Sequence, residues 1–144
     1  MNWEMKDTEL KRQRDSDLYD VYKKGMATIG FANMSQAADY VIRQSAPHFY
    51  VSPREVSLAI GKLQRGVSLI ALSSSSRRRI WQLKDNYEKY LAEHPDNKLS
   101  RERVLELLVE EPAPEFYLSW RSAREILRRE MIKRRNKWFE RHGM

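Results

Sequence analysis

The chain has 144 residues, 41% of them hydrophobic and 33% charged, and its formal net charge is +7. This composition supports a buried core and argues against wholesale disorder. The absence of cysteine excludes disulfides and thiolate metal ligands, and no apolar run approaches the roughly 18 to 20 residues that cross a bilayer. We therefore expect one compact domain over residues 1–144, with no membrane partner and, because no secretory signal is present, a cytoplasmic location.

The first helix is predicted to begin near residue 15. Apolar residues recur on one of its faces at helical spacing: Leu18, Tyr22, Met26 and Ile29. Two alternatives are open for residues 1–14, a frayed extension of this helix or a flexible arm. Ser35 is the expected N-cap of a second, short helix that continues through Gln44.

A third helix is predicted to start at Ser52. The sequence Ser-Pro-Arg-Glu supplies an N-cap, a proline at the first helical position and a glutamate for a capping box. This helix is expected to end near Gly66. Residues 67–76 fit a helix, an extended segment or a loop equally well. A further helix then runs to about Glu93, and His94–Asn97 is a turn by composition.

Ser100 is the expected N-cap of the next helix, whose Val104, Leu107 and Leu108 should face inward. Ser119 is expected to open a long C-terminal helix. The inward stripe of that helix is predicted to contain Trp120, Ala123, Leu127, Met131 and, further along, Trp138. The periodicity as a whole predicts an all-α fold of five or six helices.

A nine-residue motif occurs twice, at residues 46–54 and 113–121. The copies read Ala-Pro-His-Phe-Tyr-Val-Ser-Pro-Arg and Ala-Pro-Glu-Phe-Tyr-Leu-Ser-Trp-Arg, so six of the nine positions are identical. In each copy proline ends one helix and serine begins the next. The sequence therefore predicts two helix-connector-helix repeats, 35–65 and 100–135.

The aromatic pair of each copy has a structural interpretation. Successive side chains of an extended connector point in opposite directions. We therefore expect Phe49 and Phe116 to enter the core, while Tyr50 and Tyr117 keep their hydroxyls at its rim.

The excess positive charge is concentrated in the C-terminal helix. Residues 120–144 contain nine cationic and three anionic side chains. A basic amphipathic helix of this kind favours an anionic partner such as nucleic acid. The candidate nucleic-acid-binding residues are Arg54, Arg77, Arg78, Arg79, Arg121, Arg124, Arg128, Lys133 and Arg135.

Arginine at a helix start needs compensation. Arg54 and Arg121 are expected at the second helical position, where the helix dipole disfavours a cation by a few tenths to about 1 kcal/mol. Arg77, Arg78 and Arg79 are expected near another helix start. For Arg54 and Arg121, a bound phosphate or an internal carboxylate or carbonyl would each compensate, and the sequence leaves both alternatives open. For Arg77, Arg78 and Arg79 the alternatives are a phosphate-binding face and a solvated charge run or disordered Ser/Arg loop.

Trp138 and Phe139 interleave aromatic rings with the charges of the C-terminal helix. They could stack on bases, or they could be core or oligomer contacts. No catalytic constellation emerges, because the three histidines are far apart in sequence and no glycine-rich phosphate loop is present. We expect no enzyme activity, no metal site and no cofactor.

Two hypotheses follow from these patterns. The first is a small basic helical nucleic-acid-binding protein, with DNA favoured over RNA, in an accessory, architectural or regulatory role in bacteria or their mobile elements. The second is a non-enzymatic structural or protein-interaction module that docks an acidic partner or assembles into a homo-oligomer.

Overall fold

A computed structural model describes residues 7–143 of the chain. Over these residues it contains six helices and no strand, which confirms the all-α prediction. The helices are α1 (Asp7–Thr28), α2 (Met34–Ile42), α3 (Pro53–Gln64), α4 (Ser74–Glu93), α5 (Arg101–Leu108) and α6 (Trp120–Arg141). None of the helices in the described range has the length and apolarity needed to span a membrane.

Serine N-caps position three of the helices as predicted. Ser52, Ser100 and Ser119 each accept a hydrogen bond from the backbone N–H three residues later, over 3.1–3.3 Å. An N-cap oxygen satisfies one of the N–H groups that have no partner inside the helix, and this typically stabilises the helix by about 1 kcal/mol. The starts of α3, α5 and α6 therefore follow directly from local sequence.

Two predicted helix starts were wrong. The first helix begins at Asp7 rather than near residue 15, so residues 7–14 follow the helical-extension alternative, while residues 1–6 lie outside the described range. The cap of α2 is Asn33 rather than Ser35: the Asn33 side chain accepts from the N–H of Gln36, whose side chain accepts in turn from the N–H of Ala32. These reciprocal bonds satisfy two donors, which a single serine oxygen cannot do.

The ambiguous stretch at residues 67–72 forms turns rather than a regular element. Leu69 is its only residue buried in the core, whereas Ile70 is 79% exposed. Ser73 caps α4 by accepting from the N–H of Ser76 at 3.2 Å. The apolar residues of this stretch therefore do not define a helix face.

Several predicted inward positions face solvent instead. Met26 and Ile29 near the end of α1 are exposed, and so is Leu107 of α5, whose neighbour Leu105 is buried. In α6, Ala123 and Leu127 are buried as expected. Three predicted members of its stripe are exposed instead: Trp120, Met131 and Trp138. The apolar face of α6 is thus limited to its first half.

The chain divides into two compact units, each described separately. Unit 1 consists of Pro47–Ala113 with the described part of Met1–Leu10, and unit 2 consists of Lys11–Ala46 with Pro114–Met144. Each predicted repeat contributes one helix to each unit, because α3 and α5 belong to unit 1 whereas α2 and α6 belong to unit 2. The repeats and the single domain over residues 1–144 remain predictions.

In unit 1, α3, α4 and α5 pack against one another. The connector before α3 joins this packing, since the N–H of Phe49 donates to the carbonyl of Val109 over 3.0 Å. The core of this unit includes Phe49, Val56, Ile60, Leu83, Val104 and Leu105, none of them more than 1% exposed.

In unit 2, α2 packs along α6. A row of aromatic rings, Tyr22, Phe31 and Tyr40, lies beside Gly25 of α1, with centroid separations of 6.0 and 5.2 Å. A Cβ at Gly25 would lie 2.7 Å from both Phe31 and Tyr40, so only glycine admits this close approach. This contact helps to position α1 within the unit.

The two copies of the motif share a backbone feature that sequence patterning did not predict. Tyr50 has φ 55° and Tyr117 has φ 56°, which is the left-handed region that residues other than glycine rarely adopt. Phe49 and Phe116 are buried as expected, but both tyrosines are also buried, at 7% exposure. The left-handed backbone at Tyr50 and Tyr117 breaks the strict alternation expected of an extended connector.

Candidate nucleic-acid interface

The arginines at the start of α4 bind groups of the protein itself. Arg79 Nη1 lies 3.4 Å from the carbonyl oxygen of Phe49 and 3.3 Å from that of Tyr50, and donates to both. These carbonyls belong to the connector before α3. Arg79 therefore stabilises the first copy of the motif.

Arg77 has a similar internal role. Its Nη1 donates to the carbonyl oxygens of Ile70 and Leu72 over 3.3 and 3.1 Å, and so holds the turn that precedes α4. The more exposed Arg78 donates to the hydroxyl of Ser74 over 3.1 Å. Each of the three consecutive arginines therefore makes at least one hydrogen bond within the protein.

Arg54 and Arg121 stand at the second position of α3 and α6, as predicted, and both are exposed. Arg54 makes no hydrogen bond or ion pair with any residue from 7 to 143. Arg121 lies 6.0 Å from the ring centroid of Trp120, and Arg124 lies 5.0 Å from the same ring. Trp120 thus stabilises the positive charges of Arg121 and Arg124, two of the predicted nucleic-acid-binding residues, by cation–π attraction.

Arg128 and Arg135 line an apolar groove of about 520 Å³ on α6. They share this groove with Met131 and Ile132, whose side chains are partly exposed, and with Met34 of α2. Of the nine predicted residues, Lys133 is the one that lines a second groove, which is strongly cationic.

This second groove, here called the α1/α6 groove, has a volume of about 600 Å³ and lies within unit 2. It is lined by Arg12, Ser16, Tyr19 and Lys23 of α1 and by Glu130, Lys133, Arg134, Lys137, Trp138 and Arg141 of α6. Within each helix these residues recur at intervals of three or four, the spacing that places side chains on one face. Two helical stripes therefore supply the whole lining.

Long polar side chains connect the two walls of the groove. Arg134 Nη2 of α6 donates to Ser16 Oγ of α1 over 3.2 Å, and its guanidinium carbon lies 4.3 Å from the ring centroid of Tyr19. Beside the groove, Arg129 forms an ion pair with Asp15 at 3.4 Å. These contacts fix the spacing of α1 and α6.

The lining carries six cationic side chains and one carboxylate, that of Glu130. Glu130 is 8% exposed and lies 3.9 Å from Lys133 Nζ and 3.8 Å from Arg134 Nη2. The remaining four cations have no ion-pair partner among residues 7–143: Arg12, Lys23, Lys137 and Arg141. Like charges held in one groove repel one another, and an anion bound there would relieve that repulsion.

An aromatic platform lies at one end of the groove. Trp138 stacks on the imidazole of His142, with centroids 4.1 Å apart and planes 17° apart, and meets Phe139 edge-on at 5.4 Å. His142 Nδ1 lies 2.7 Å from the Trp138 carbonyl oxygen, which holds the imidazole in place. Trp138 lines the groove and is 48% exposed, so part of its ring remains accessible there.

The α1 half of this site was not predicted from the sequence. Arg12, Ser16, Tyr19 and Lys23 form a visible stripe at i, i+4, i+7 and i+11. A polar stripe on a helix is usually a solvated face, and only the placement of α1 beside α6 gives it another meaning. Among the α6 residues, Arg134, Lys137 and Arg141 belong to the cationic run but were not singled out.

The sequence and structure were compared with family models, with curated proteins and with solved structures, and none of them matched. Within residues 7–143 there is also no cluster of three or more side chains of the kinds that hold a metal ion.

Proposed function

We propose that this protein is a non-enzymatic, cytoplasmic nucleic-acid-binding protein, with DNA as its preferred ligand, acting in an accessory, architectural or regulatory role. The single observation that carries the proposal is the α1/α6 groove, where six cations surround one carboxylate and two aromatic rings. Phosphates are the anions that match such a lining along its length.

The physical basis of binding would be release of counterions. A protein cation that neutralises a DNA phosphate releases a condensed counterion, so affinity falls linearly with salt on logarithmic axes. The cations without ion-pair partners are available for this exchange at little cost to the fold. This proposal places the interface in the groove rather than at the helix starts, because Arg77 and Arg79 already donate to internal carbonyls.

The test is fluorescence anisotropy with labelled duplex DNA, single-stranded DNA and RNA, from about 50 to 200 mM salt. We expect a variant carrying Lys133→Ala, Lys137→Ala and Arg141→Ala to bind about tenfold or more weakly at low salt. Its salt slope should fall by about three, since each lost phosphate contact reduces the slope by about one.

A matched control carries Lys89→Ala, Lys98→Ala and Arg103→Ala, three exposed cations of unit 1. It removes the same net charge and the same residue types from a different surface. Equal losses in the two variants would show a general charge effect and contradict a groove site. Absence of binding to every nucleic acid at about 50 mM salt would overturn the proposed function.

A second candidate function rests on the apolar groove around Met131 and Ile132. Side chains that are 37% and 51% exposed there favour a protein contact, either with an acidic partner or with a second copy of the chain. The tryptophans give less support: Trp120 and Trp138 are about 27 Å apart along α6, so they do not share one apolar patch. Light scattering of Met131→Lys and the parent chain tests self-assembly.

A further inference from the structure

Building on the proposed function, we infer that the α1/α6 groove takes a single strand of nucleic acid, with one base stacked on the exposed part of the Trp138 ring. This inference specifies the form of the ligand. It rests on the shape of the groove, on the contacts and exposure of the Trp138 ring, and on the position of that ring relative to the cations of the groove.

The shape of the groove favours a single strand. Duplex readers insert a protruding helix or ribbon into the major groove of DNA, which is about 12 Å wide. Here the cations line a concavity between two helices rather than a protruding element. Each lining stripe spans eleven helical rises, or about 16 Å, which is the length of about five stacked nucleotides at the 3.4 Å spacing of a B-DNA strand.

The tryptophan ring is prepared for stacking. His142 already stacks on the ring and Phe139 meets it in a T-shaped contact, so the ring loses little freedom when a base stacks on its exposed part. A buried tryptophan would not be accessible to a base, and an isolated surface tryptophan would not be held in one orientation. Aromatic platforms beside a positively charged track are the common means of binding single strands without sequence preference.

The cations nearest to Trp138 complete the geometry. Lys137 is adjacent in sequence, Arg134 and Arg141 lie four residues before and three residues after it, and all four residues line the groove. In a base-paired duplex the bases are stacked on one another and unavailable to this ring. A single strand can place a base on Trp138 and its flanking phosphates against these cations at the same time.

The test compares Trp138→Ala and Trp138→Phe with Trp81→Ala. Trp81 is the matched control, since it is also 48% exposed but lies on α4 in unit 1. Anisotropy is measured with a labelled single-stranded DNA of about six nucleotides and with the same strand fully paired in a duplex.

We expect Trp138→Ala to weaken single-strand binding about 10- to 100-fold, with duplex binding changed less than about twofold. Trp138→Phe should retain most of the affinity, because phenylalanine preserves a stacking face. Trp81→Ala should bind like the parent chain. Far-UV circular dichroism establishes that each variant is folded.

Two different failures can be distinguished. If the chain binds no nucleic acid, or if the Lys133, Lys137 and Arg141 variant binds normally, the proposed function itself fails. If that variant loses affinity while Trp138→Ala does not, or if duplex is bound more tightly than the single strand, the groove binds nucleic acid but the inference of a stacked single strand is overturned.

Discussion

The arginines beside the connectors of unit 1 and the cations of the groove in unit 2 have different partners. In unit 1, Arg77 and Arg79 donate to backbone carbonyls, and Arg101 donates to Ser57 and Gln64 over 3.0 and 2.9 Å. In unit 2, cations lie along two helix faces around an open groove, and four of them have no ion-pair partner within the described residues. The net charge of the chain counts all of these cations alike, so it does not show which of them are bonded inside the protein.

The difference follows from where backbone acceptors are available. Connectors and turns leave carbonyl oxygens outside helical hydrogen bonds, and a guanidinium nearby can satisfy them. In the middle of a helix each carbonyl already accepts from the N–H four residues later. A cation on such a face therefore finds an acidic side chain, solvent or a bound anion, and this is the situation in the α1/α6 groove.

The largest effect that tests this comparison is expected from Arg79→Ala. The substitution leaves the carbonyls of Phe49 and Tyr50 without this donor, so the free energy of unfolding should fall by about 1–3 kcal/mol. Lys89→Ala removes an exposed cation from the same helix and should change stability by less than about 0.5 kcal/mol. Urea unfolding measures both, and equal values would contradict an internal role for Arg79.

Nucleic-acid binding gives the second readout for Arg79→Ala. Because this arginine is engaged inside unit 1, affinity should remain within about twofold of the parent chain under conditions where the protein is folded. A loss similar to that of the groove variant would instead assign Arg79 to an interface, and the contrast between the units would disappear.

A smaller effect, in the opposite direction, is expected from Glu130→Gln. Glu130 is the one acidic residue of the groove lining, so its neutralisation should raise nucleic-acid affinity about two- to fivefold at low salt. Glu125→Gln on the exposed face of α6 makes the same change in net charge and is the matched control. Anisotropy titrations that show the same gain for both would mean that total charge, rather than the groove, governs binding.

The local signals in the sequence were sufficient for most helix boundaries. Ser52, Ser100 and Ser119 are followed by residues compatible with a first helical turn, and each caps the helix that was predicted from it. Ser35 is not the N-cap of α2, because Asn33 and Gln36 form a reciprocal pair of hydrogen bonds that satisfies two backbone N–H groups. Competition between adjacent polar residues is decided by geometry that a list of cap preferences does not contain.

The candidate site could be predicted only in part, and the reason is tertiary. Lys133 was singled out from the charge of α6. Arg12 and Lys23, which line the same groove, belong to α1, and the predicted start near residue 15 left Arg12 outside that helix. The position of α1 depends in part on Gly25. The rings of Phe31 and Tyr40 approach this residue so closely that a Cβ would clash with them. Neither the periodicity nor the composition of the sequence indicates which polar face of α1 lies toward α6 as a result of this packing.

The smallest expected effect is a difference in stability between equivalent substitutions in the two copies of the duplicated motif. Arg54 occupies the second position of α3 without a hydrogen-bond or ion-pair partner among residues 7–143, whereas Arg121 lies 6.0 Å from the Trp120 ring. Arg54→Ala relieves the unfavourable interaction with the helix dipole and should raise the free energy of unfolding by about 0.3–1 kcal/mol at low salt. Arg121→Ala should change it by less, because the same relief is offset by a lost cation–π contact of about 0.5 kcal/mol.

Urea unfolding at low and high salt measures this difference, since salt screens the dipole interaction and should remove most of the gain in Arg54→Ala. Destabilisation by Arg54→Ala would reveal an internal acceptor. The double variant that carries both Arg54→Ala and Arg121→Ala should also retain nucleic-acid affinity within about twofold, because the proposed phosphate contacts lie in the α1/α6 groove. A loss of affinity with the fold intact would place the duplicated arginines at the interface and extend it beyond unit 2, since Arg54 belongs to unit 1.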